Sequence, residues 1–394
     1  MTPDEFVSVL RSHDRFVAGR AGGVRADLRN QDLSGLRLSN LNLRGALLHG
    51  ADLSRCVLAG ADFRFADLSG ARMDDAQTTS AQFGRADLRG ISLRRTELRG
   101  ADFSEADLRP WAGVQGESRP ADLSHSKLDR AKLDRVQAAD AKLNSASLTG
   151  ATLRGANLPR ANFSGADMTG ANLEGARLQD ARMVGAILQD AWVKDALLRG
   201  ADLRGAILAH VDLGTANVRD AKVTPGLARL SAELQAILRD HAVWIDSHGD
   251  EGTRADLAGA DLSGIDLSFA YLSGASLARA NFTDSRLEHA ALVLADLRAA
   301  LLDGADLARA DLSGADLSDA SLVGADLDRA LVGPVVIKGG DGRPTGQTRT
   351  TDFSRADLKG ANLDAVDLTR AVTDGAYTAP RQPAAAQTGS SGAT

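Results

Sequence analysis

Ala305-Asp306-Leu307-Ala308-Arg309-Ala310-Asp311-Leu312-Ser313-Gly314-Ala315-Asp316-Leu317-Ser318-Asp319 is one five-residue phrase, Ala-Asp-Leu-X-X, written three times. Earlier in the chain the same beat places an apolar residue at Leu28, Leu33, Leu38, Leu43, Leu48, Leu53 and Leu58, then at Phe63, Leu68, Met73, Phe83, Leu88, Leu93, Leu98, Phe103 and Leu108. Two positions earlier usually sits a small residue, most often alanine, as at Ala51, Ala61, Ala66, Ala71, Ala86, Ala101 and Ala106. A period of five fits neither the 3.6 of a helix nor the 2 of a flat strand. The chain must therefore turn at every repeat. Each phrase is expected to make a short extended side with Leu and Ala inward and Asp outward. A corner built from Gly, Ser or Arg follows, glycine being the residue most tolerant of turn dihedrals.

Stacked coils tend to place like side chains on one another, which gives a way to count sides. Phe63, Phe83 and Phe103 recur at intervals of twenty and Phe163 lies three further intervals along, so all four are expected on one face of a four-sided coil. With the A-(D/N)-L-X-X motif held in frame over most of its length, the chain resembles the pentapeptide-repeat family. That resemblance implies an all-β solenoid, a right-handed quadrilateral parallel β-helix; the handedness comes from the resemblance and not from the spacing.

The coil is expected in two blocks, with short capping helices near the N-terminus and around 226–246. Residues 1–19 carry Thr2 as N-cap, Pro3 in the first turn and Glu5 to close a capping box, followed by Phe6, Val9, Leu10, His13, Phe16 and Val17 at helical spacing. The first repeat block spans 24–223. It is degenerate at 109–120, which two degenerate pentapeptides or a short bulged loop would fill, Leu123 remaining in step with Leu108. About ten coils at strand-like spacing would measure about 48 Å. Thr224-Pro225 stops the beat, and 224–249 reads as a second amphipathic helix. The second block covers 253–378, with a loop at 333–351 after which Phe353 resumes the beat one residue out of frame. The tail 379–394 is expected to be disordered. The organisation is duplicated: Leu10, His13 and Phe16 match Leu238, His241 and Trp244, and Arg25 to Leu28 match Arg254 to Leu257. A helix placed before an open coil is most simply a cap.

A net charge of −6 is too small to mark a nucleic-acid binder, and no apolar run approaches membrane-spanning length. No secretory signal is visible at the start of the chain. Cys56 is the single cysteine, which rules out an internal disulfide framework and fits a reducing compartment. A soluble cytoplasmic protein without direct contact to nucleic acid or membrane is expected. Cys56 takes the place of an inward alanine, and His13 and His241 lie on the apolar faces of the caps, so all three read as packing residues. His49, His125, His210 and His289 fall at corners and should be solvated. No metal-ligand cluster, phosphate-cradling loop or nucleophile motif stands in the context it needs, and an interior of Leu, Phe and Ala leaves no room for substrate. No cofactor and no enzymatic activity are expected.

Outward positions are where a partner would bind. Phe65, Trp192, Phe269 and Tyr271 are expected to face solvent, and Trp192 with the Phe269/Tyr271 pair are the candidate anchors. Trp111, in the degenerate stretch, could instead fold inward. Residues 253–332 carry thirteen acids against six arginines. By the four-sided count Asp256, Asp296 and Asp316 share one face, and Asp266, Asp306 and Asp326 the opposite one. Two readings result: a rigid scaffold for a protein partner of unspecified identity, or a DNA mimic that binds or inhibits DNA gyrase or another type II topoisomerase. The second is implied by the resemblance to quinolone-resistance members of the family, whose acidic rods imitate a duplex. An open carboxy-terminal coil leaves a homodimer open.

Overall fold

The computed structural model describes residues 1–112, 117–338 and 343–378. The chain divides into two compact units. One is Met1–Val223 with Asp246–Glu251; the other is Thr224–Ile245 with the residues from Gly252 onward. Each is a cap helix followed by a right-handed four-sided β-helix. The tail 379–394 lies outside the described residues, as do Gly339, Gly340 and Gly342 of the 333–351 loop.

One parallel ladder explains each coil. Position n pairs with n + 20 on every side, as in Asp27↔Leu47↔Asp67↔Asp87 and Asp256↔Ser276↔Asp296↔Asp316. Around each rung Leu28 N–H donates to the Leu47 carbonyl (2.8 Å), Leu47 N–H donates back to Ala26 (2.9 Å), and at the corner Asn30 N–H donates to His49 (2.9 Å). A turn bond such as Ala46 N–H to Leu43 O (3.0 Å) closes the bend. The small residue and the central Leu or Phe thereby point inward, where Ala51, Leu53, Ala61, Phe63 and their equivalents are fully buried. Each such leucine contributes about 1.5–3 kcal/mol of burial.

The outward Asp or Asn of the motif is more than a solvated residue. Its Oδ1 accepts the N–H two residues on: Asp27 from Arg29 (3.3 Å), Asp52 from Ser54 (2.9 Å), Asn162 from Ser164 (3.0 Å) and Asp326 from Asp328 (2.9 Å). The side chain thus folds the corner locally, which is the preference of Asx residues for turns. The fifth position is left-handed at most corners, for example Gly50 at φ 66° and Arg55 at φ 59°, whereas Thr215 and Arg370 end 3-10 turns instead.

Two insertions leave the ladder. In the first, β1 (Trp111–Ala112) pairs antiparallel with β2 (Ser118–Arg119), and the ladder steps from Ser92 to Asp122, thirty positions instead of twenty. Ten residues are therefore extruded, and the first coil has about nine and a half turns, about 45 Å at strand spacing. The shift also corrects the assignment of Phe163. Phe63, Phe83 and Phe103 do stack, with centroids 5.1 and 4.7 Å apart, but Phe163 continues the Leu123–Leu143 side, two sides away. Trp111 does not enter the coil; it lies beside His49 (5.9 Å) and over Gly90, where an added Cβ would meet it at 2.6 Å. The first coil ends with β3 (Asp202–Leu203) parallel to β4 (Lys222–Val223). In the second insertion, β5 (Val335–Lys338) pairs antiparallel with β6 (Pro344–Arg349), and the ladder steps from Asp316 to Asp352.

The two caps are built alike. Helix α1 (Pro3–Val17) starts with the capping box, Thr2 Oγ1 accepting from Glu5 N–H (3.2 Å) and Glu5 Oε2 from Thr2 N–H (2.7 Å). Helix α2 (Ala232–Asp246) follows a 3-10 turn at Pro225–Arg229. In each, a histidine with no exposed surface accepts the N–H of the first inward alanine: His13 Nδ1 from Ala26 and His241 Nδ1 from Ala255, both at 3.1 Å. An aromatic ring one turn on stacks on it, Phe16 at 5.8 Å and Trp244 at 5.5 Å. The returning chain passes so close under each helix that Gly23 and Gly252 leave no space for a Cβ, the nearest backbone atoms lying 2.3 and 2.2 Å from it.

Leu307 is fully buried whereas Asp306 is half-buried, and Ser276 and Ser321 hold the outward position elsewhere in the same coil. Leu307→Asp should therefore cost more than about 4 kcal/mol and unfold the second coil, and Asp306→Ser less than about 1 kcal/mol. Urea titrations followed by circular dichroism would separate them, and parent-like curves for both would refute the inward assignment.

Burial pushes His241 down to about 4, with Arg254 adding to the effect and the Ser273 carbonyl opposing it; burial also lowers His13, where Asp14 opposes and Arg25 assists. The unfolded chain then binds more protons than the folded one as pH falls below about 6.5. The His241 contribution is complete above that value and is lost towards pH 4, roughly 3 kcal/mol in all. A His13→Asn/His241→Asn double variant should flatten the dependence of melting temperature on pH between 6.5 and 4; an unchanged slope would remove the histidines from the account.

Candidate protein-interaction surface

The nucleophiles are positioned for structure. Cys56 has no exposed surface, its thiol lies 3.0 Å from the Leu33 carbonyl, and burial pushes its pKa up, away from the reactive thiolate. An Asp-Ser-His chain does assemble at Asp67, Ser69 and His49. Ser69 Oγ donates to Asp67 Oδ1 (2.6 Å), so His49 Nδ1, 2.8 Å away, must donate to Ser69 and cannot accept its proton. That order is the reverse of a nucleophile activated by a base. Of the corner histidines, His125, His210 and His289 are exposed and His49 is half-buried, yet each also has a neighbour. His210 pairs with Asp190 (2.8 Å), His125 faces Glu251 (3.4 Å) and His289 stacks on Phe269. Among the described residues no serine or threonine hydroxyl bonds to His210, and no group of three or more His, Cys, Asp or Glu is placed to hold a metal.

The acidic columns exist with the expected register. Asp256, Ser276, Asp296, Asp316 and Asp352 form one; Asp266, Arg286, Asp306, Asp326 and Asn362 form the opposite one. Their carboxylates are occupied, however. Each of the six predicted aspartates accepts a corner N–H, at 3.3 Å for Asp256, 3.1 Å for Asp266, Asp306 and Asp316, 3.3 Å for Asp296 and 2.9 Å for Asp326. Asp296 is also gripped by both forks of Arg298 (2.8 and 2.7 Å), which holds its carboxyl below the usual range. Asp316 faces Arg349 of β6 (3.3 Å), Asp266 faces Arg286 (3.8 Å) and Asp326 accepts from Asn362 (2.8 Å). The same Asp-X-Arg fork recurs at Asp27/Arg29, Asp62/Arg64, Asp87/Arg89, Asp107/Arg109 and Asp202/Arg204. Such surface pairs stabilise little, but they weaken the field of the columns at Asp266, Asp296 and Asp316.

The predicted aromatic anchors fall into different surroundings. Trp192, in the first unit, stands on the Thr152–Asn172 column with more than half its surface exposed. In the second unit Phe269 is half-buried, stacked at 5.0 Å on His289, and Tyr271 is half-buried on the next side beyond the same corner. Phe65 is 45 % exposed between two guanidinium groups, Arg44 at 5.1 Å and Arg85 at 5.9 Å from the ring centre. Those arginines were not singled out from sequence. The twenty-residue repeat carries the signal, since Arg44, Phe65 and Arg85 occupy one corner in three successive coils.

Solved structures similar to this chain include full-length QnrB1, a plasmid-mediated fluoroquinolone resistance protein, at 17% identity and TM-score 0.40, covering 52% of this chain and 96% of that one. HetL, a pentapeptide repeat protein involved in heterocyst differentiation regulation from the cyanobacterium Nostoc sp. strain PCC 7120, is 28% identical with TM-score 0.26, covering 54% and 93%. Rfr23 from the cyanobacterium Cyanothece 51142 is 26% identical with TM-score 0.20, covering 34% and 86%. No curated protein matches this sequence. The family profile described as pentapeptide repeats matches residues 24–58, 37–75, 79–109, 121–155, 146–185, 181–220, 253–290, 290–329 and 350–372. The unmatched stretches from 110 to 120, 221 to 252 and 330 to 349 contain the first hairpin, the second cap and the second hairpin. With well over half its residues matched, the chain belongs to the pentapeptide repeat family.

Proposed function

We propose that this protein is a non-enzymatic scaffold that binds another protein through the outer surface of its coils. The observation that carries the reading is the interior: from Ala26 to Ala206 and from Ala255 to Leu358 the inward positions form two continuous apolar cores. Side chains close-packed in this way leave no chamber for a substrate, so recognition falls to faces and corners. The grooves on the surface fit that role better than chemistry. One of about 610 Å³ along a corner of the first unit is lined by Glu105, Asp134, Arg135, Arg154 and Glu174, of which Arg154 and Glu174 pair at 3.3 Å. No helix among the described residues is long and apolar enough to cross a membrane.

The DNA-mimic alternative, with gyrase as partner, draws on the acidic columns of the second unit. A duplex imitation needs unscreened negative charge, and here Asp296, Asp316 and Asp266 face arginines of the same chain. The scaffold reading is therefore preferred.

Affinity capture from nuclease-treated lysate of the source cell, with the intact protein as bait, tests the choice. A second bait carries Ser at Asp256, Asp266, Asp296, Asp306, Asp316 and Asp326. The same protein should be retained by both baits at comparable yield. Retention of gyrase by the parent alone would overturn the preference in favour of the mimic. Retention no greater than on heat-denatured bait would end the scaffold reading.

A further inference from the structure

Among the described residues three large apolar side chains occupy left-handed corners: Phe65, Phe269 and Leu294, each at φ 61°. That backbone region is unfavourable for bulky residues, and the corner also turns the side chain outward, so each position asks for a reason. Two of the three have cover supplied by their own unit. Phe269 lies flat against His289, with the planes 7° apart. Leu294 sits beside the second hairpin: a Cβ added to Gly314 would at once meet Leu294 Cδ2 (2.9 Å), the Arg349 carbonyl (3.0 Å) and Val335 Cβ (3.5 Å).

Phe65 is the counterpart of Leu294 in the first unit. Counting from the matched starts Leu28 and Leu257, the corner Gly45, Phe65, Arg85 corresponds to Gly274, Leu294, Gly314. Among the described residues no hairpin strand of the first unit lies there, and nearly half the ring is exposed. Together with Phe16, Val17, Arg44 and Gly45 it lines a groove of about 470 Å³. Phe16 is 44 % exposed, so two rings are open to solvent in one place.

The charge of the groove is one-sided. Arg44 and Arg85 lie against the Phe65 ring, and among the described residues no carboxylate lines the groove. Arg85 pairs with Glu105 at 2.9 Å in the next coil, whereas Arg44 makes no ion pair among the described residues. In the second unit the place of Arg44 is taken by Ser273 and that of Arg85 by Gly314. The cations therefore appear only where the corner is bare.

We propose that this groove docks an extended segment of a partner protein in which an apolar side chain is flanked by carboxylates. The apolar side chain would enter between Phe16 and Phe65, and the carboxylates would meet Arg44 and Arg85. Strand β5 over the equivalent corner of the second unit is the internal precedent for extended polypeptide in that position. The inference rests on the scaffold reading and gives its partner a chemistry.

The test pans a library of random twelve-residue peptides against the whole chain and measures the enriched peptides by fluorescence anisotropy. Enriched sequences should place Asp or Glu within two residues of Leu, Ile, Val or Phe, and should bind more weakly as ionic strength rises. Phe65→Gly and Arg44→Ser should each weaken them at least tenfold. Both are expected to fold, since glycine suits the left-handed corner and serine already stands at the matching position 273; circular dichroism melts would verify this. No enrichment, enrichment without that pattern, or equal binding by parent and variants would overturn the proposal. Tighter binding of a twelve-nucleotide oligothymidylate that Phe65→Gly abolishes would overturn it too, assigning the corner to nucleic acid. If lysate capture succeeds while the Phe65 and Arg44 variants change nothing, the scaffold stands and only this site falls.

Discussion

The parallel ladder between position n and position n + 20 is the constraint on which each coil depends. A side of five residues offers room for one rung, one turn bond and one bond between corners, and every coil repeats that set with its neighbours. Because inward and outward positions alternate along a side, slipping the ladder by one residue would put aspartate in the core and leucine in water. Extra residues can therefore enter only where they leave the coil and return to the same corner. Both insertions do so as antiparallel hairpins, whose ends are close by construction. Variation is confined to corners, hairpins and outward side chains, which are also the places where another protein can be met.

Much of this was legible because the period is so regular. The inward Leu and Ala, the four sides and the two cap helices follow from spacing alone. The face of Phe163 did not, for a physical reason: an insertion of ten residues preserves a beat of five while rotating everything after it by two sides. The second insertion betrays itself, since sixteen residues throw Phe353 out of frame. Counting in fives detects the second kind of insertion and is blind to the first. The outward aspartates were also read too simply. Their role in bending the corner requires knowing that the next residues turn back towards them, which is geometry a linear pattern does not contain.

The surface was less legible than the core. Exposure of Trp192 and Phe65 followed from register, but the stacking of Phe269 on His289 depends on what stands one coil away at a corner. The acidic excess of 253–332 is real in composition and only partly offset in space, where Arg298 closes an Asp-X-Arg fork on Asp296 and Arg349 returns from a hairpin to meet Asp316. Charge counted along a chain overestimates the field of a coil that folds its own arginines onto its own aspartates.

The caps show how a repeat begins when there is nothing to repeat from. In later repeats the N–H of the small inward residue commonly bonds to the carbonyl three positions earlier, as Ala46 does to Leu43. Ala26 and Ala255 have no preceding turn, and the residues three positions before them are Gly23 and Gly252, pressed beneath a helix. A buried acceptor must be supplied from elsewhere. A carboxylate would bring an unpaired charge into an apolar site, whereas a neutral imidazole offers a lone pair without one. Both caps use histidine, and neither Nε2 makes a hydrogen bond of good geometry among the described residues. The bond from Nδ1 to the first inward amide recurs in both caps at the same length and supplies the acceptor that a preceding turn gives elsewhere. Its sensitivity to protonation follows from choosing the one neutral side chain that can make it and still titrate.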